Sequence, residues 1–246
     1  MLYYERKLKK EGYHFVAGID EAGRGPLAGP VVAAAVVLLS TRFNNRIDDS
    51  KKLTPRERES AYPEIIKNSL FGMGIVNEKI IDNINILQAT RAAMGKAIGS
   101  LLNKSKILSS ERVFLQHRKI YNIFPEPPPD FALAGSKRLG LRKSPEIGNK
   151  KLSPKAIFLL VDGNMKLPVS LPYKDIIRGD SKSMSIACAS ILAKVIRDRI
   201  MSVYDRFYPQ YGFICHKGYP TLAHRKQLEK IGPCPIHRLS FLKNFL

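Results

Sequence analysis

Two apolar stretches rich in β-branched residues, FVAGID at 15–20 and VVAAAVVLL at 31–39, flank a short glycine-rich segment. Short runs of this kind on either side of a tight turn signal predict two strands joined as a hairpin. FGMGIV at 71–76 predicts a further strand. From Asn83 to Leu102 the spacing changes. Ile86, Leu87, Thr90, Met94, Ala97, Ile98 and Leu101 recur every three or four positions, which predicts a helix with these residues on its inner face. AIFLLVD at 156–162 has the length of a buried strand and stops at Gly163 and Asn164. A second helical pattern runs from Ser181 to about Met201. Met184, Ala187, Cys188, Ile191, Leu192 and Val195 share one face, and Asp180 or Ser181 is the expected N-cap. Prolines, aromatics and basic residues crowd the last 45 positions, 202–246, and predict short helices and loops. Strands mixed with helices define an α/β class.

One segment departs from these periods. Residues 103–155 contain PEPPP at 125–129, twelve Lys or Arg against four acids, and a single candidate strand at 112–116. This composition predicts a flexible basic insertion within one domain spanning 1–246. The chain as a whole carries 41 Lys plus Arg against 21 Asp plus Glu, a formal charge of +20. Without the insertion's excess of 8 the remainder still stands at +12, so the basic character belongs to the folded part. A basic excess of this size points to a polyanionic partner, above all nucleic acid. No stretch reaches the roughly 20 apolar residues a membrane helix requires, and the charged N-terminus lacks a signal-peptide core. Cys188, Cys215 and Cys234 are an odd, widely spaced set. They argue against a disulfide framework and predict a reducing, cytoplasmic setting.

Against this charge, two adjacent acids, Asp20 and Glu21, close the first apolar run. Asp162 ends another, and Asp180 opens a helix. Side chains at strand ends and helix starts of α/β folds converge on a crevice. Carboxylates brought that close cannot all ionise unless a cation joins them, and hard ions such as Mg²⁺ take oxygen ligands. Two such ions about 4 Å apart can activate a water and stabilise a leaving oxygen in phosphodiester cleavage. Each acid has a plainer reading. Asp162 before a glycine suits a turn, Asp180 suits an N-cap, and Asp48 and Asp49 suit the loop before a helix starting at Pro55. Cys215, His216, His224 and Cys234 could also bind zinc, but adjacent Cys–His and wide gaps do not match common zinc spacings.

GIDEAGRGPLAGPVVAAAV, DSKKLTPRERE, INILQATRAAM, LLVDGN, GDSKSMSIACASILAKVIRDRIM, YGFICHKGYPTLAH and GPCPIHRLSF, in that order, resemble the successive blocks of bacterial ribonuclease HII. The resemblance covers nearly all of the chain outside 103–155. It implies an RNase H-like mixed sheet flanked by helices, with a helical C-terminal extension. It also implies cleavage of the RNA strand in RNA–DNA hybrids and nicking of duplex DNA 5′ to an embedded ribonucleotide, leaving 5′-phosphate and 3′-hydroxyl ends. Asp20, Glu21, Asp162 and Asp180 match the acids that hold two Mg²⁺ or Mn²⁺ ions when substrate is bound. Gly23, Arg24 and Gly25 match the loop that grips the ribonucleotide 2′-hydroxyl and nearby phosphates. Tyr219 matches the tyrosine that stacks on the sugar of the next nucleotide, and Lys51 and Lys182 match phosphate contacts. Only about 14 residues precede the first strand, so the extra N-terminal domain of ribonuclease HIII is not expected. Cys188, where the family commonly has a small residue, falls on a buried helix face. The closing LSFLKNFL would either dock a sliding clamp or pack as a terminal element, and a monomer is the expected state.

Overall fold

A computed structural model describes residues 1–108 and 157–243, with the backbone alone at 104–108. The predicted strand at 112–116 and most of the predicted insertion lie outside the described residues. The elements in order are α1 (Tyr3–Lys10), β1 (Phe15–Ala22), β2 (Val31–Leu38), α2 (Pro55–Lys67), β3 (Ser69–Val76), α3 (Glu78–Leu108), β4 (Ile157–Asp162) and β5 (Tyr173–Ile176). A 3₁₀ turn (Gly179–Ser181) precedes the long helix α4 (Met184–Phe207), and another (Pro209–Tyr211) follows it. Three short helices follow: α5 (Phe213–His216), α6 (Leu222–Ile231) and α7 (Leu239–Leu242).

The five strands form one mixed sheet in the order β3-β2-β1-β4-β5. The predicted hairpin β1–β2 is antiparallel, as is β2–β3, while β4 lies parallel to both β1 and β5. Helix α3 covers one face through Ala17, Ile19, Ala33, Ala35, Leu159 and Val161. Helices α4 and α2 cover the other through Val32, Ala34 and Val36, and α1 packs beside them on Val16 and Leu160. Because β2 is buried on both faces, its sequence is a continuous apolar run without alternation.

The structure corrects several sequence expectations. Helix α3 begins at Glu78, breaks at Asn85, and continues to Leu108, six residues into the segment read as irregular insertion. Asn85 has φ 65° and ψ 166°, and its Oδ1 accepts the N–H groups of Leu87 and Gln88, so it restarts the helix. That restart turns Leu87 outward, 41% exposed, although the spacing put it inside. Ser183, not Asp180 or Ser181, caps α4 by accepting the Ile186 N–H. Cys188 is fully buried as expected, and burial pushes its thiol far up.

Gly18 sets how closely α4 approaches β1. A Cβ there would run into the backbone of Ser185 and Ile186. Gly18→Ala therefore forces α4 away from the strand that carries Asp20. A loss of about 2 kcal/mol or more is expected, read as a lower urea midpoint.

Candidate active site

Period two along the strands decides which acids meet. Gly18 faces α4, so Asp20 does too, and on β4 Asp162 shares the face of Leu160. Asp180 reaches the same point from the 3₁₀ turn, whose Gly179 N–H donates to Asp162 Oδ1 at 2.6 Å. One carboxylate oxygen from each of Asp20, Asp162 and Asp180 lies within 4.8 Å of the others. Asp20 and Asp180 are buried, at 5% and 3% exposure. Glu21 has the opposite parity and is not part of this trio; its Oε1 lies 3.3 Å from Arg24 Nη1. The structure thus brings three of the four predicted acids together and leaves the fourth beside them.

The electrostatics are those of a site short of positive charge. Burial, then the charges of Glu21 and Asp162, push the Asp20 carboxyl well above its usual range. Burial also raises Glu21, with Asp162 adding to the effect and Arg24 opposing it. Asp180 is raised by burial, then by Asp162 and Asp49. Lys51 brings a cation to these acids, with its Nζ 3.9 Å from Asp180 Oδ2. Burial works to lower its amine, but the charges of Asp180, Asp20, Asp49 and Asp162 prevail and raise it. Ser190 hydrogen-bonds Asp20 and lies 2.8 Å from Ser50, tying the 49–51 loop to α4. Three all-oxygen donors at this spacing, two of them held above their ordinary pKa, fit a hard divalent cation.

Gly23, Arg24 and Gly25 lead away from these acids. Gly23 has φ 101°, a conformation natural to glycine, and a Cβ there would strike the Arg197 side chain. Gly25 is exposed, and Tyr219 Cε1 would lie 3.9 Å from a Cβ built on it. Tyr219 is 39% exposed, with Lys194 Nζ and Arg197 Cζ each 5.7 Å from its ring centre. Loop and tyrosine are therefore neighbours. Lys182 is exposed on the turn after Asp180.

Two fully buried arginines hold this loop, and sequence reasoning missed both. The Arg238 guanidinium donates to the carbonyls of Gly23, Arg24 and Gly29 at 2.7–3.2 Å. Arg197 donates to Ala28, Pro30 and Lys217. Burial, then the charge of Arg197, lowers Arg238 to about 9, which leaves it charged at neutral pH. No local pattern marks them, because their partners are backbone carbonyls far along the chain.

His224 and His237 were also missed as a pair. Their Nε2 atoms are 3.0 Å apart in the interior. Burial first, and imidazole neighbours second, push both down to about 4. Both are neutral in the folded state, whereas the unfolded chain takes up their protons near the ordinary 6.5. Their contribution to stability is complete above pH 6.5 and is lost as pH falls towards 4. Urea midpoints should therefore drop over that window, and less in His237→Gln. Among the described residues, the only metal-capable cluster is the acidic one, and Cys215 is exposed, so the zinc arrangement does not form.

An RNase H-like sheet with carboxylates converging between β1, β4 and the start of α4 defines a ribonuclease H-type endonuclease. The comparisons agree. The ribonuclease HII family model matches residues 17–125 and 145–244, leaving unmatched only 126–144 within the predicted insertion. Ribonuclease HII of Syntrophotalea carbinolica is 40% identical over 241 residues, covering 98% of this chain and 91% of that one. Ribonuclease HII of Caldicellulosiruptor bescii is 43% identical over 244 residues, covering 98% and 93%. The ribonuclease H2 structure from Pyrococcus horikoshii shares the fold, with a TM-score of 0.55, 23% identity and coverage of 91% and 92%. The chain belongs to the ribonuclease HII family. Its reaction is endonucleolytic cleavage of RNA in RNA–DNA hybrids, and it depends on a divalent metal.

Proposed function

We propose that this enzyme also nicks duplex DNA on the 5′ side of an embedded ribonucleotide, leaving 5′-phosphate and 3′-hydroxyl ends. The observation that carries the reading is the carboxylate trio near a glycine–arginine loop whose Arg24 and Gly25 are exposed, with Tyr219 beside it. Asp20, Asp162 and Asp180, with Glu21, would hold Mg²⁺ or Mn²⁺. Bound there, divalent ions supply a water of lowered pKa and charge neutralisation at the leaving oxygen. The protein's part is position. The exposed Gly25 N–H can approach the 2′-hydroxyl closely because no Cβ intervenes, the buried Gly23 forms the turn that presents it, and Arg24 adds a planar donor for phosphate. Tyr219 offers its ring to the following sugar, which distinguishes a ribose-to-deoxyribose junction. Lys51 and Lys182 would meet phosphates. An all-DNA duplex leaves the hydroxyl-reading groups unpaired and is rejected.

Ribonucleotide removal from DNA, in the cytoplasm and by a monomer, is the setting this chemistry suits. A sliding clamp is the second partner considered. A structural neighbour of similar fold is the PCNA:RNase HII complex from Archaeoglobus fulgidus (TM-score 0.52, 22% identity). In this chain Phe241 and Leu242 pack against the core, while Leu239 is exposed.

The test is a substrate panel in Mg²⁺ and in Mn²⁺: a DNA duplex with one ribonucleotide, a long hybrid, and all-DNA. Cutting of the first two and not the third is expected. Cutting of the long hybrid alone would overturn the embedded-ribonucleotide reading.

A further inference from the structure

The histidines buried beneath Tyr219 form an ordered chain of hydrogen bonds whose proton positions can be assigned. The Cys234 N–H donates to His237 Nδ1 at 2.9 Å, so that nitrogen is unprotonated and the His237 proton is on Nε2. His237 Nε2–H then donates to His224 Nε2 at 3.0 Å. This leaves the His224 proton on Nδ1, which lies 2.9 Å from the Tyr219 carbonyl and donates to it. The far side of the same short segment is fixed in a similar way. The Gly218 N–H donates to His216 Nδ1, and the His216 ring stacks on His224 with centres 4.3 Å apart.

The other end of the chain is anchored on the glycine loop. His237 pairs with Ala28 in an isolated bridge, and the next residue, Arg238, holds the carbonyls of Gly23, Arg24 and Gly29. Residues 237–238 therefore touch both substrate-reading elements at once. The loop is held through Arg238, and Tyr219 is held through His237 and His224. Neither histidine is exposed enough to meet substrate.

The geometry points to His224 and His237 as positioning residues: a neutral two-histidine relay fixes Tyr219 relative to the Gly23–Gly25 loop and so sets selectivity for a ribose followed by deoxyribose. The inference rests on the proposed reading of Tyr219 as the junction-sensing side chain. A displacement of that ring by a fraction of an ångström would weaken the junction-specific contact and leave the acidic centre intact.

The first measurement is on the wild type, by ¹⁵N NMR of its imidazole nitrogens. A protonated Nδ1 on His224 and a protonated Nε2 on His237 are expected. The opposite tautomer on either ring would overturn the relay. The second is the ratio of kcat/KM on the single-ribonucleotide duplex to that on the long hybrid, for folded His224→Leu, His224→Asn and Tyr219→Ala. Asn keeps a donor near the Nδ1 position. The ratio should fall about tenfold in His224→Leu and return to near the wild-type value in His224→Asn. If His224→Leu does not fold, His237→Leu is read in the same way, since it leaves His224 without its partner. An unchanged ratio, or an equal loss on both substrates, would overturn the relay. If Tyr219→Ala itself leaves the ratio unchanged, the reading of Tyr219 fails instead, independently of the tautomers.

Discussion

Asp20→Asn should abolish metal-dependent cleavage and at the same time raise the melting temperature of the metal-free protein. The two effects have one cause. Asp20 is buried within reach of Asp162 and Asp180, and its carboxyl is pushed well above the ordinary 3.8 by burial and by neighbouring negative charge. A carboxyl whose folded pKa is raised holds its proton more tightly in the native state than in the unfolded chain. As pH rises from 3.8 through the raised value, the metal-free protein loses stability. Asparagine removes that charge and the loss with it. Divalent ions should offset the same repulsion, so they should raise the wild-type melting temperature more at pH 7 than at pH 5. The cost falls on activity. Removing an outer-sphere partner of a metal site typically costs 10–100-fold, so replacing a residue proposed to bind the ion directly should cost at least about a hundredfold. Thermal melts with and without Mg²⁺, run beside initial rates, check both halves. A destabilised Asp20→Asn would contradict the electrostatic account.

Gly23→Ala is the second change with a large expected effect, and it acts through the loop. Gly23 combines φ 101° with a position where any Cβ meets the Arg197 side chain. The loop must change its backbone or push away an arginine that holds Ala28, Pro30 and Lys217. Either response moves the Gly23 carbonyl off Arg238 and shifts Arg24 and Gly25 relative to Tyr219. Strain of about 1–3 kcal/mol is expected in stability. Selectivity for a ribonucleotide over all-DNA should fall by about tenfold or more, because misplacement of this order at a recognition group is amplified in rate. Binding of the two duplexes by fluorescence anisotropy, without metal, separates this effect from chemistry. An unchanged affinity ratio would remove the loop from substrate recognition.

The parts of this fold that could be read from sequence are those where one physical term dominates. Strands β1, β2 and β4 are short, buried and apolar, and nothing else in the chain competes with that reading. The acids stood out because charge at the end of an apolar run is costly without a purpose. Helix α1 was not legible. Its sequence is lysine-rich, and it is held in part by Glu5, whose Oε1 accepts from Ser183, Ser185 Oγ and the Ser185 N–H across most of the chain. Strand β5 is four residues long at a sheet edge, too short for its period to register. Glu21 shows a finer limit. Adjacency in sequence could not show that adjacent strand residues point to opposite faces, which sets Glu21 beside the trio with its charge still acting on Asp20. Arg197, Arg238, His224 and His237 were hidden for a different reason. Their side chains are polar, and their burial is satisfied by partners that local pattern cannot reveal.

Whether the acidic trio cuts beside a ribonucleotide is read by mapping the cut in an end-labelled DNA duplex carrying one ribonucleotide, with Mg²⁺ present and then removed by chelation. A single metal-dependent nick on the 5′ side of the ribonucleotide is expected, with a 3′-hydroxyl on one product and a 5′-phosphate on the other. A nick on the 3′ side with a cyclic phosphate end, or cutting that survives chelation, would contradict it.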